Sequence, residues 1–299
     1  MGGHHYTRAM NVGPSGHATM TARSLDRSVD PRGKTIECPE NQTPIVVAMD
    51  VTGSMGEWSK IIYDKMPMFF GQMMMEEYCD EPCISFAGVG DAVCDMAPLQ
   101  VSDFGSGATL DKHLKAIWLE GGGGGATYGE EESYDLAAAY YASSAVTVPK
   151  DRKGFFFITG DEGVYEKPHW PWFRKWVCDD VRDITKEHDP QTFSAGDIFT
   201  SLQQRFHVFH LKKAYDTSSD ARILRQWQTL LGEPRVLVLD DPKSVVDIML
   251  GAVALTSETR TLEQYLADME ERGQTTERVS QVKSTLAGLA EEIGFGSSP

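Results

Sequence analysis

Long apolar runs are missing from this chain of 299 residues. The longest, Ile45 to Met49, Phe155 to Ile158 and Val236 to Leu239, are strand-sized and fall far short of the roughly 20 residues that span a bilayer. Met1 to Met20 is polar and lacks an apolar core segment, so it reads as neither signal peptide nor anchor, and a cytoplasmic protein is expected. Basic charge is scarce. Lys and Arg number 28 against 44 Asp and Glu, a formal net charge of −16. A surface this acidic repels phosphate backbones and anionic lipid, which argues against nucleic-acid and membrane partners and favours cations or basic partners. Cysteine is sparse: Cys38, Cys79, Cys83, Cys94 and Cys178 are an odd set without CxxC spacing, read as reduced thiols. No Gly-Lys-Ser/Thr follows the one glycine run, which excludes a phosphate loop. No Ser-His-Asp or Cys-His set can be placed together, and no internal repeat is visible.

Residues 1–43 carry Gly, Pro, Ser and Thr throughout without helical or strand period. They read as an extended arm, docked or disordered. From Pro44 to about Thr256 the pattern is strand, turn, helix, repeated. Ile45 to Asp50 is a buried strand. Ser54 to Tyr78 is helical, its Met66, Phe69, Phe70 and Met73 spaced by three and four, with Pro67 expected to kink or restart it. Cys83 to Gly90 and Pro98 to Phe104 are strands close enough to form a hairpin. Helices follow at Leu110 to Leu119 and Glu130 to Ala145, with Gly121 to Gly125 as a loop between them. Gly154 to Thr159, His207 to Leu211 and Arg235 to Leu239 are further strands. Ser194 to Arg205, Ala221 to Leu231 and Ser244 to Leu255 are further helices. This alternation predicts an α/β fold with a doubly wound, mostly parallel sheet and one antiparallel edge hairpin. Residues 257–299 add two amphipathic helices.

In such sheets ligands bind beyond the carboxyl ends of the strands, where strand order reverses. Asp50-Val51-Thr52-Gly53-Ser54 puts one carboxylate and two hydroxyls on a tight turn entering a helix. Alone it could be a capped turn, with Ser54 as N-cap, Glu57 completing a capping box and Gly53 permitting the bend. Two further loops change that reading. Gly121 to Thr127 delivers a hydroxyl just before a helix, and Phe155 to Ile158 exits into Thr159-Gly160-Asp161-Glu162. Parallel strands bring all three to one edge. Carboxylates and hydroxyls are hard oxygen ligands that suit Mg²⁺, Mn²⁺ or Ca²⁺ rather than zinc.

Asp-x-Thr-x-Ser after the first strand, Thr after a Gly-rich loop and Asp after the later strand resemble the metal-ion-dependent adhesion site of von Willebrand factor A domains. The resemblance spans about residues 44–256. It implies that Asp50, Thr52 and Ser54 form the first metal loop, Thr127 the second and Asp161 the third. It also implies a divalent ion, mostly Mg²⁺, and a protein partner whose acidic residue completes the coordination. Intracellular relatives serve as adaptors with AAA-type ATPases or in other multiprotein complexes. Two positions depart from the family pattern: Thr52 stands for the usual serine, and Thr159-Gly160-Asp161 replaces Thr-Asp-Gly, which leaves Glu162 as an alternative third-loop oxygen.

Other residues divide between packing and function. Asp91 reads as a turn residue first and a group beside the metal second. Tyr165, His169, Trp170, Trp172, Phe173 and Trp176 divide evenly between core and contact surface. The methionines Met66, Met68, Met73, Met74 and Met75 read as mostly core-facing, and His4 and His5 as a solvated tail. His207 and His210 face opposite sides of a strand. The expected function is a non-enzymatic, divalent-metal-dependent protein-binding module. The alternatives are a Mg²⁺-dependent hydrolase or phosphoryl-transfer enzyme, against which no Lys or Arg lies in the three loops, and a scaffold with a vestigial site.

Overall fold

The computed structural model describes residues 10–12, 18–20, 25–121, 131–177, 192–214 and 218–294. A six-stranded sheet forms its centre: β1 (Thr43–Asp50), β2 (Pro82–Val89), β3 (Leu99–Val101), β4 (Gly154–Gly160), β5 (Phe206–Lys213) and β6 (Val236–Leu239). The spatial order is β6-β5-β4-β1-β2-β3. All neighbours are parallel except β2 and β3, which form the antiparallel edge pair. The expected α/β fold is therefore what the chain adopts.

Burial explains the strand sequences. Ile45, Val47 and Met49 join one core layer, and Val46 and Ala48 the opposite one. A strand covered on both faces has no polar side, hence its unbroken apolar run. The first layer is roofed by α1 (Glu57–Met75), α7 (Val245–Thr256) and the C-terminal helices α8 (Leu262–Glu271) and α9 (Thr276–Ile293). Val282, Leu286 and Leu289 of α9 are buried in the same layer as α7, so the C-terminal helices complete this core. The other layer is roofed by α3 (Tyr134–Ala142), α4 (Trp170–Trp176), α5 (Ala195–Gln203) and α6 (Asp220–Leu231). The short helix α2 (Thr109–Ala116) follows the β3 edge. Among the described residues no helix is long and apolar enough to cross a membrane.

Several details differ from the sequence reading. Pro67 lies inside an unbroken α1, on its exposed side, while Ile62, Tyr63, Met66, Phe69 and Met73 anchor the helix across it. Met66 and Met73 are buried, but Met68, Met74 and Met75 are exposed, so most of that run faces outward. The third helix begins at Tyr134 because Glu131–Glu132 instead pairs in parallel with Gly163–Val164. The arm is docked from residue 25 onward. Val29 is buried and its carbonyl accepts the Val101 N–H on the β3 edge, while Ile36–Glu37 pairs with Val146–Thr147. The described cysteines Cys38, Cys79, Cys83 and Cys94 are free thiols.

Candidate metal-binding site at the sheet switch point

From β1 the chain winds outward through β2 and β3, then returns to place β4 on the other side of β1. The carboxyl ends of β1 and β4 thus flank the point where strand order reverses, the place where this fold opens a ligand crevice. Asp50 ends β1, and Asp161 follows the last residue of β4.

A continuous chain of close oxygens links the two. The Asp50 Oδ1 accepts from the Thr52 N–H at 2.8 Å and from its hydroxyl at 2.6 Å. Thr52 Oγ1 lies 3.0 Å from Ser54 Oγ, which donates to Asp161 Oδ1 at 2.9 Å. Asp50, Thr52 and Asp161 are buried, and Ser54 is partly exposed at the mouth. The capped-turn reading of Ser54 fails. Helix α1 starts at Glu57 behind Gly56, without a side-chain cap, so the Ser54 hydroxyl is available to the site. The glycine with positive φ is Gly56, at 56°, rather than Gly53. Between Asp161 and Glu162, it is Asp161 whose carboxylate joins the cluster; Glu162 meets Trp227 through its backbone carbonyl. Thr127 and Gly122 to Gly125 lie outside the described residues, as does Cys178.

Three groups that no motif singled out complete the surroundings. The buried Tyr134 hydroxyl donates to Asp50 Oδ2. Lys213, the last residue of β5, donates to Asp161 Oδ2 at 3.1 Å and to the Ser54 carbonyl at 2.7 Å. Its approach follows from the register, which sets Lys212 beside Gly160. A dibasic pair at the end of a strand next to β4 was the available signal. Glu132, buried with Oε2 unpartnered, stands among Asp50, Glu162, Asp91 and Asp95. Asp91 is both turn residue and neighbour of the site. Its Oδ1 accepts from the Val93 N–H at 3.1 Å and from the Tyr165 hydroxyl at 3.0 Å.

The electrostatics are those of crowded, desolvated acids. Burial pushes the Asp50 carboxyl up to about 7, the Asp161 charge adds to this, and the bonds from Thr52 and Tyr134 oppose it. Burial, then the charges of Asp50 and the neighbouring acids, raises Glu132 well above the usual carboxylate range. Two carboxylates and two hydroxyls brought together with little solvent exposure favour a positive neighbour. The oxygen separations are those of ordinary hydrogen bonds, and a cation's coordination shell has a similar spacing. Oxygens bound to an octahedral Mg²⁺ at about 2.0–2.1 Å lie about 2.9 Å apart along an edge, and the oxygens here are 2.6 to 3.0 Å apart. Among the described residues no group of three or more His, Cys, Asp or Glu is placed to hold a metal. The donor set is two carboxylates plus hydroxyls.

The aromatic segment is mainly packing. Phe173 and Trp176 are buried. Trp170 and Trp172 are half-buried against the core, Trp170 stacked on Phe193 and Trp172 edge-on to Tyr165. His210 is buried and stacked on Trp227, while His207 on the opposite face is half-buried.

No protein-family model and no curated protein matches the chain. Among solved structures it is similar to the pilus adhesin SpaC from Lactobacillus rhamnosus GG in its open conformation, at 10% identity and a TM-score of 0.50. That alignment covers 74% of this chain and 31% of SpaC, so the chain spans about a third of that protein. Proximal thread matrix protein 1 from the mussel byssus aligns at 10% identity and a TM-score of 0.46, over 74% of this chain and 49% of the other. At this identity the SpaC likeness speaks to the fold.

Proposed function

We propose that the chain is a von Willebrand factor A-like module that captures a protein partner through a divalent ion. Asp50, Thr52, Ser54 and Asp161 would hold the ion, with Thr127 from the glycine-rich loop. Mg²⁺ is favoured, with Mn²⁺ and Ca²⁺ as alternatives. The observation that carries the reading is the unbroken run of close oxygens from Asp50 to Asp161 across the switch point. When bound, the ion supplies an open coordination position to an acidic side chain of the partner. The chain's own residues orient the ligand oxygens and keep water from Asp50 and Asp161. The fold is shared with a protein named as a pilus adhesin, which is in keeping with a binding role. The proposal includes a cytoplasmic setting and an adaptor role in a multiprotein complex, with AAA-type ATPases as the partner class that the resemblance implies. Affinity purification from the native cell, with and without EDTA, tests it. Partners released by EDTA support it, and a partner set indifferent to EDTA refutes it.

The enzymatic alternative gains one group from the structure. Lys213 brings a cation to a site whose three loops hold none, and phosphoryl chemistry needs such a charge. Phosphatase and nucleotide-hydrolysis assays in Mg²⁺ separate the readings. Turnover abolished by Asp50→Ala supports the enzyme.

A further inference from the structure

The Lys213 ammonium reaches two of the residues assigned above to the ion. It donates to the Ser54 carbonyl and to one carboxylate oxygen of Asp161, while the Ser54 hydroxyl donates to the other. Asp161 is 1% exposed in its side chain and Lys213 12%, so this is an ion pair largely withdrawn from water. Lys212 points away and pairs with Asp220, as alternation along a strand requires. Register with β4 fixes the backbone of Lys213 beside the site, and its four-carbon stem lets the ammonium move. A second seat is at hand, since the ammonium lies 5.7 Å from the centre of the Trp58 ring, within reach of a cation–π contact.

We propose that Lys213 is a tethered competitor of the divalent ion: the ammonium and the ion share the Asp161 carboxylate, and binding of one weakens the other. The inference rests on the divalent-ion reading. Asp50 and Asp161 together balance two positive charges. An ion there and an ammonium still on Asp161 make three, close together and poorly screened, and their repulsion favours withdrawal of the lysine toward Trp58. The chain thus carries its own set-point for ion affinity. The site fills only when the free ion outcompetes an ammonium of fixed, high local concentration.

Calorimetric titration of the full chain with Mg²⁺ and Mn²⁺ tests this on wild type, Lys213→Met, Lys213→Gln, Lys213→Arg and Asp50→Ala. The two neutral variants are expected to bind at least tenfold more tightly than wild type, Lys213→Arg no more tightly, and Asp50→Ala not at all. Neutral variants equal to or weaker than wild type, with Asp50→Ala still silent, overturn the competition and leave the ion site standing. Silence in wild type and in the folded Lys213 variants alike overturns both. A measurement on wild type needs no substitution. Lysine acylation read by mass spectrometry should label Lys213 faster as Mg²⁺ is added, and an unchanged rate overturns the proposal.

Discussion

The Tyr134 hydroxyl donates to Asp50 while the tyrosine lies directly over Gly160. A Cβ at position 160 would sit 2.1 Å from that hydroxyl and 2.7 Å from the ring carbon that bears it. Glycine is therefore required just before Asp161, and the order Thr159-Gly160-Asp161 has a physical cause. The tyrosine that donates to the Asp50 carboxylate occupies the space a side chain would need.

Gly160→Ala is expected to drive Tyr134 off Asp50 and to cost about 1–3 kcal/mol by overpacking a rigid layer. Tyr134→Phe removes the bond without the clash and should cost about 1–3 kcal/mol, because it leaves a buried carboxylate oxygen unpartnered. Urea denaturation of both variants checks this. A neutral Gly160→Ala would show that Tyr134 does not occupy that space.

Asp135, in the first turn of α3, is fully buried with Oδ1 unpartnered, and burial pushes its carboxyl from 3.8 up to about 8. Below pH about 4 both folded and unfolded chains hold this proton. Between about 4 and 8 only the folded chain holds it, so stability is lost as pH rises through that window. Asp135→Asn should therefore gain stability relative to wild type, with a difference that grows from pH 5 to pH 8. Urea midpoints at the two pH values measure it. Glu132 shifts in the same direction, so the variant should keep part of the slope. An identical slope in wild type and variant contradicts the assignment.

The arm is the third test. Val29, Ile36 and Cys38 are buried, and the Val29 carbonyl covers the β3 edge. Residues 25–43 thus belong to the folded body, and a protein truncated to begin at residue 44 should melt lower or precipitate. Each lost Val or Ile contact costs about 1.5–3 kcal/mol, and an uncovered edge strand invites pairing with another chain. A protein beginning at Leu25 keeps these contacts and should melt above the one beginning at residue 44. Equal melting of the two truncations contradicts the docking.

The parallel sheet was legible because doubly covered strands such as Ile45 to Met49 and Phe155 to Ile158 have nothing polar to interrupt them. The first-loop and third-loop residues were legible because topology alone carries Asp50 and Asp161 to one edge. Local signals misled where a tertiary partner outbid them. Ser54 looked like a helix cap, but its hydroxyl turns to Asp161, a contact 107 positions away in the chain. Tyr134 and Lys213 stayed hidden for the same reason. A tyrosine opening a helix has no spacing that marks it, and the dibasic end of β5 marks Lys213 only weakly; the packing of α3 on the sheet brings the one to the carboxylates and strand register the other. The docking of residues 25–43 was equally unmarked, since a chain that follows a sheet edge irregularly has no period.

The most direct test of the ion reading is a Mn²⁺ titration of the full chain beside Asp50→Ala, with Asp50→Asn as the isosteric control and circular dichroism to confirm folding. Asp50 is a buried carboxylate at one end of the run of oxygens, and without its charge the remaining donors cannot balance a divalent ion. The expected result is one Mn²⁺ per wild-type chain and none in either folded variant. A variant isotherm that matches wild type would place the ion elsewhere and contradict the account.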